Sequence, residues 1–326
     1  MFSYRSLLKQ AWAVSWKHKY LWFLGLFASL TAAGGSWEYQ LMSQNLNQGM
    51  IDGSYYRLDG ILALADLAKN FLTGLINLFH YDVLTIMNVL SLLLISFVLL
   101  ASFVWLAITC QAALVSDVKK INENKKKDLQ LSLRDSLTAG HYHFWSVLGL
   151  NLMIKIIVSF VFFIISLPLL FMVISDATAL AVMYTIFFVI FVPIAVGLSL
   201  MLKYAIAYRV LDNKSFVASL ENGKRLFNKN WLVSLEMAII LFIINFLVSG
   251  LILAALAIFL LPLLLLGLMF KISWLVILMI ILAIVIIILV GSVLTTFQIA
   301  TWTNLFLQLK DRGAVAKLER VFGRKS

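Results

Sequence analysis

Two charged side chains stand inside apolar runs, where charge is expensive. Lys155 follows Trp145 by ten positions, roughly 15 Å along a helix at about 1.5 Å per residue, and Asn151 precedes it by one turn on the same face. Glu236 follows Trp231 by five positions in a later apolar run. Ionisable groups at such depth mark pairs or pathways, or else extend toward the interface along their aliphatic stems. Three readings therefore stand for Lys155, Asn151 and Glu236. Lys155 snorkels while Glu236 sits at the interface; Lys155 and Glu236 pair and join two parts of the chain; or all three line a transport site.

The histidines offer less. His141 and His143 form a His-x-His near a membrane boundary, but a metal site needs three or four converging ligands. The neighbourhood supplies only Asp135, and His18 and His80 stand elsewhere. No Gly-rich phosphate loop, His-Glu-x-x-His, Gly-x-Ser-x-Gly or paired-aspartate motif occurs. The expectation is a protein without catalytic, metal or cofactor-binding residues, and hence not an enzyme. The single cysteine, Cys110, lies in an apolar run and excludes an internal disulfide framework.

The elements that position these residues are set by composition. Of 326 residues, 63% are hydrophobic and 13% charged, against about 25% charged in a soluble domain. Too little polar surface is available to cover a water-soluble globule. Several runs exceed the roughly 20 apolar residues that cross a bilayer as a helix, without the alternation of a membrane barrel. The fold class is all-α, a polytopic membrane protein with one membrane domain over residues 1–326.

Six spans are predicted: 20–34, 84–115, 144–174, 178–210, 231–270 and 273–309. Residues 1–19 read as an interfacial amphipathic helix, with Leu7, Leu8, Ala11, Trp12 and Trp16 on one face. This end reads as the approach to a span rather than a cleaved signal peptide, since Ala28 to Ala33 gives only a weak cleavage pattern. Residues 35–83 read as an extracytoplasmic loop whose part 58–80 forms a non-spanning amphipathic helix, because spanning would bury Asp66 and Lys69.

The net charge of +11 sits in four short segments flanking the spans. They hold Arg5 to Lys19, Lys119 to Arg134, Arg209 to Lys229 and Lys310 to Lys325. That placement suits anionic lipid headgroups and topology rather than nucleic acid. With six spans all four segments share one side, which the positive-inside rule makes the cytoplasm, so both termini are cytoplasmic and the expected location is the cell membrane. The same argument makes 231–270 one long helix rather than two short spans turning near Gly250.

The approaches to the third and fifth spans look alike. Ser136-Leu137-Thr138-Ala139-Gly140 precedes Phe144-Trp145, and Ser219-Leu220-Glu221-Asn222-Gly223 precedes Phe227 and Trp231. The exits also correspond: Trp105 to Ile108, Tyr204 to Tyr208, and Ala300 to Thr303. The chain reads as three parallel units, about 1–116, 130–210 and 215–310, each an elbow helix followed by a two-span hairpin. Pro168, Pro193 and Pro262 all fall within spans, where they either open a cavity or let long helices fit the bilayer.

The elbow at 219–227, the run into Trp231, and Thr295 to Trp302 resemble bacterial multi-span families of unknown function. Ala11-Trp12 and Trp22 to Leu26 resemble openings found there. Those families are related to the membrane domain attached to some glycerophosphoryl diester phosphodiesterases. The resemblance implies a helical membrane fold and carries no catalytic residue, since only 17 residues follow Leu309. The sequence thus favours a non-enzymatic scaffold, assembly or lipid-associated protein, with membrane lipids as partners. A small-solute or lipid transporter is the alternative.

Overall fold

The computed structural model describes residues 4–33, 69–70, 72–73, 82–123, 132–175 and 178–312, with the backbone alone at 162, 165–175, 178–185 and 187–188. Among them are nine helices and no strand. In chain order these are α1 (Tyr4–Lys17), α2 (Tyr20–Ala33), α3 (Val83–Glu123), α4 (Leu133–Tyr142), α5 (Phe144–Ser175), α6 (Thr178–Asp212), α7 (Phe216–Lys229), α8 (Trp231–Met269) and α9 (Ser273–Arg312). Most of the proposed 58–80 amphipathic helix and the turn at Asp176 lie outside the described residues; 69–70 and 72–73 are helical.

Five helices, α3, α5, α6, α8 and α9, are long and apolar enough to cross a membrane. The chain is an all-helical, multi-pass membrane protein. At 14 residues, α2 rises about 21 Å, short of the roughly 30 Å hydrocarbon core. The long apolar run after Trp231 is one unbroken helix of 39 residues that passes through Pro262 and Gly250. Likewise α6 runs through Pro193. The second predicted span continues to Glu123, so Asp117 and Lys120 are helical rather than part of a connecting segment.

The α8–α9 turn ends α8 with Phe270 N–H donating to Leu266 O and Ile272 N–H to Gly267 O, at 3.0 and 2.8 Å. Lys271 takes the left-handed conformation there, φ 53°. Glycine is the usual residue at such a helix end, because a Cβ is crowded there.

The chain divides into two compact units. One gathers the residues up to Leu30, Leu106–Leu150, and those from Leu200 onward; the other comprises Thr31–Trp105 and Asn151–Ser199. The first contains the three short amphipathic helices, α1, α4 and α7, and the C-terminal ends of α3, α6 and α9. In the second, α3 from Val83 to Trp105 exposes long apolar side chains, including Phe97 at 70%. Phe191 and Ala195 of α6 are buried.

Capping explains where the short helices start. Ser132 accepts from Arg134 N–H at 3.3 Å ahead of α4, and Ser215 accepts from Ala218 N–H at 3.4 Å ahead of α7. Each short helix then passes into a long one with hardly a break. His143 N–H donates to Gly140 O, and Val147 N–H to His143 O, at 3.1 and 3.0 Å. Asn230 makes the corresponding link, receiving from Ser234 N–H at 3.0 Å. The α1–α2 corner uses His18 O, which accepts from Leu21 N–H at 3.0 Å.

One burial register serves all three short helices. Leu7, Ala11 and Val14 are buried on α1; Ser136, Gly140 and His143 on or just after α4; Ser219, Gly223 and Leu226 on α7. The spacing of four and then three residues places each trio on one helical face. The central residue is small in every case, because a neighbouring backbone comes close. A methyl at Gly140 would meet Thr109 O and Ala113 of α3, and one at Gly223 would lie 2.8 Å from Ala205 N of α6. Thus α4 lies on the end of α3 and α7 on the end of α6.

The N-terminal pair lies on the end of α9. Ser292 Oγ donates to Trp22 O, and Thr296 Oγ1 lies 3.0 Å from Leu21 O and 2.9 Å from Ser292 O, sharing its proton. Trp12 stands edge-on to Phe297, ring centres 6.1 Å apart.

Candidate functional site

The polar side chains of the first unit gather where the ends of α3, α6 and α9 meet the short helices. Asp117 is the most demanding of them, a carboxyl group with no solvent exposure. Tyr20 and Ser136 lie beside it and Lys120 Nζ is 4.0 Å from Oδ1, yet among the described residues neither carboxyl oxygen, nor the buried Tyr20 hydroxyl, has a hydrogen-bond partner. Ser136 Oγ also sits 3.1 Å from Ser132 O, to which it donates. The site therefore joins three segments distant in sequence: the start of α2, the end of α3 and the first turn of α4. A carboxyl group buried without a hydrogen bond is costly to keep from water, which makes Asp117 the least satisfied group of this corner.

A second set of polar links ties the three long helix ends to one another. Lys119 Nζ of α3 donates to Leu211 O in the last turn of α6, at 3.1 Å. A cation there also meets the negative end of the helix dipole. Lys310 of α9 places Nζ 2.7 Å from both carboxylate oxygens of Asp212, at the same end of α6. Asn122 Nδ2 of α3 donates to Asn304 Oδ1 of α9 at 2.5 Å. Every pair among α3, α6 and α9 is thereby bonded.

Around these links the packing is aromatic and close. Tyr204, Phe306, Leu305, Leu114 and Val118 are fully buried. Tyr204 exchanges a 2.7 Å hydrogen bond with Ser234 of α8, whose hydroxyl lies 2.9 Å from Asn230 O. Tyr208 meets Phe306 edge-on at 4.8 Å, and Lys203 Nζ sits 4.4 Å from the Trp302 ring centre. A cation over an indole face contributes about 0.5–2 kcal/mol, more when desolvated.

The residues singled out from the sequence are distributed differently. Glu236 belongs to the first unit and accepts a hydrogen bond from the Tyr4 hydroxyl. Asn151 and Lys155 belong to the second unit, one turn apart on α5, with Asn151 buried and Lys155 half-buried. His141 and His143 point to opposite sides, as residues two apart on a helix must: His141 is exposed and His143 buried. Among the described residues no three His, Cys, Asp or Glu side chains converge as metal ligands. Burial, and then the nearby Arg209 guanidinium, hold the His143 imidazole below its ordinary range, so the ring is neutral at pH 7. Arg209 Nη1 itself donates to Lys214 O at 2.6 Å.

Asp117 was legible only as one acid near a basic stretch, and nothing local to it announced Tyr20 as a neighbour. The Asn122–Asn304 and Lys310–Asp212 links likewise join residues far apart in the chain. Compared with family models, curated proteins and solved structures, the chain matches none.

Proposed function

We propose that the chain is a non-enzymatic, six-span membrane scaffold made of three parallel units, with its termini and basic segments on the cytoplasmic side. The observation that carries this reading is the use made of its polar groups. Lys119, Asn122, Tyr204, Asp212, Ser234, Ser292, Thr296, Asn304 and Lys310 each bind one helix to another. Side chains spent on holding helices together are not free to turn over a substrate.

The three-unit reading draws on the common burial register of α1, α4 and α7 and on their cyclic placement. Each short helix docks on the end of the preceding hairpin, and the first docks on the last. Support for a shared side of the termini comes from α1 and α2 packing on the C-terminal half of α9, with 20–34 as the first of the six spans. Fifteen Lys and Arg side chains of the described part lie at that end, and such enrichment marks the cytoplasmic face. Kinship with the bacterial families named above belongs to the same proposal. Its Ser-x-x-x-Gly elbow has a physical basis in the close approach at Gly140 and Gly223.

Reporter fusions after residue 33 and after residue 312 test the topology: an external signal from the first and a cytoplasmic one from the second are expected. Two cytoplasmic signals overturn the six-span reading. The transporter reading rests on Asn151, Lys155 and Glu236. In a Cys110→Ser background, Lys155→Cys and Glu236→Cys, each in sealed vesicles, are expected to react with an impermeant maleimide from one side at most. Reaction of either position from both sides would replace the scaffold by a transporter.

A further inference from the structure

The basic side chains of α1 and α7 are exposed. With Leu7, Ala11 and Val14 turned inward, α1 exposes Arg5, Lys9 and Lys17 and has no carboxylate along its length, and Lys19 is exposed in the turn that follows. Trp12 and Trp16 are half exposed on the same helix, 51% and 52%, stacked at 5.2 Å with an interplanar angle of 11°. Trp16 further meets Trp22 at 5.3 Å. Stacked indoles beside lysines suit the headgroup layer, where the ring takes the apolar boundary and the ammonium the phosphate.

On α7, Ser219, Gly223 and Leu226 turn inward, and the outward face carries Lys224, Arg225 and Lys229 against the single acid Glu221. Trp231, 55% exposed, follows at the corner. The Tyr4–Glu236 hydrogen bond brings the first turn of α1 to the second turn of α8, which directly follows α7. On α4 the charges cancel: Arg134 stands beside Asp135, and the exposed rings of Tyr142 and Trp145 have no lysine near them in sequence.

We propose that the outward faces of α1 and α7 form a docking surface for anionic phospholipid headgroups, and that α4 does not share it. The proposal rests on the scaffold reading above for the side of the membrane it faces. Charge complementarity selects the occupant: a cationic strip with interfacial indoles favours a phosphodiester carrying net negative charge over a zwitterionic one. Each basic residue held near an anionic surface contributes a roughly fivefold preference. Three such residues are enough to enrich the anionic lipid clearly over its neutral counterpart.

The full chain in nanodiscs of equimolar phosphatidylglycerol and phosphatidylcholine, with identical acyl chains, provides the test. Native mass spectrometry reads the ratio of the two lipids retained. The wild type is expected to retain phosphatidylglycerol severalfold over phosphatidylcholine. The triple change Arg5→Gln, Lys9→Gln and Lys19→Gln should bring that ratio toward parity, and Arg134→Gln should leave it unchanged. Excess inorganic phosphate should not displace the lipid, which separates a bilayer headgroup from a free anion.

Parity in the wild type, an unchanged ratio in the triple variant, an equal loss with Arg134→Gln, or displacement by phosphate overturns the proposal. A melting curve for each variant shows that it is folded. If the triple variant does not fold, Lys224→Gln with Lys229→Gln on α7 makes the same test. Failure here leaves the fusion and maleimide results untouched, and two-sided maleimide access would remove the scaffold reading without altering a measured lipid preference.

Discussion

The two halves of α3 differ in residue type and are treated in opposite ways. From Val83 to Val104 the long apolar side chains are exposed, Leu92 and Leu94 each at 66%. From Ala107 to Val118 nearly every residue is buried, with Cys110, Ala112, Ala113, Leu114, Asp117 and Val118 at 0%. The exposed half consists largely of Leu, Ile, Val and Phe, which lipid solvates; the buried half alternates small residues with polar ones. Among apolar helices in a bilayer there is little hydrophobic drive to associate, so small side chains and hydrogen bonds decide where helices meet. The difference lies in side-chain volume and polarity rather than in hydropathy.

The sharpest way to break that contrast is to add one methyl group to each kind of surface. Gly140→Ala puts a carbon against the Thr109 carbonyl and Ala113. Backbone does not yield easily, so a loss of about 3 kcal/mol is expected, at the upper end for overpacking. Gly250→Ala meets nothing within 4 Å. It is expected to leave stability unchanged or raise it by about 0.5–1 kcal/mol through helix propensity. Thermal unfolding of both variants in the same detergent checks the pair, and equal effects would dissolve the comparison.

Next comes the buried polar corner. Asp117→Ala deprives Tyr20 and Ser136 of the group they face and should cost about 1–3 kcal/mol. Asp117→Asn keeps the shape without a group that can ionise, and is expected to cost less than half as much. Hydrogen exchange at the α1–α2 corner would report the loosening directly.

Acid sharpens the comparison further. His143 is buried and held below its ordinary value of 6.5, so the folded chain binds fewer protons there than the unfolded chain does. Its contribution is complete above about pH 6.5 and falls as the pH drops below it, by at most about 1.4 kcal/mol per pH unit. His143→Gln should remove that slope while wild type retains it, as read by melting temperature between neutral and mildly acid buffer. A wild-type slope of the opposite sign would contradict the neutral ring.

The smallest effect is expected away from the packed end. Lys271→Gly relieves a left-handed residue in the α8–α9 turn, φ 53°, and should stabilise by no more than about 1 kcal/mol.

Much of this architecture was legible in the chain. Span limits followed from hydropathy and charge; the starts of α5, α8 and α9 agree with those read from the sequence. The elbow pattern was visible because glycine at 140 and 223 recurs four residues after serine, and close backbone approach imposes that small residue. The site was harder to read. Lys155 and Glu236 drew attention because a charge in an apolar run stands out, yet Glu236 has a partner, Tyr4, that no local pattern indicates. Asp117 stood where a span gives way to lysines, and an acid in such a place looks solvated. Its burial depends on Tyr20, brought there by the docking of α2, a tertiary event without a signature in the neighbouring residues.

The seating of α1 and α2 on the end of α9 has a consequence for the order of assembly. Trp22 and Leu21 reach hydroxyls 270 and 275 positions further along. While the ribosome is still making α8, those hydroxyls do not yet exist, and α1 and α2 remain undocked. Docking of α4 on α3 and of α7 on α6 needs only neighbouring hairpins and precedes this closure. The N-terminus, first to be synthesised, is then the last part to be locked. A newborn chain stalled before Ser292 would be a ring left open at one seam.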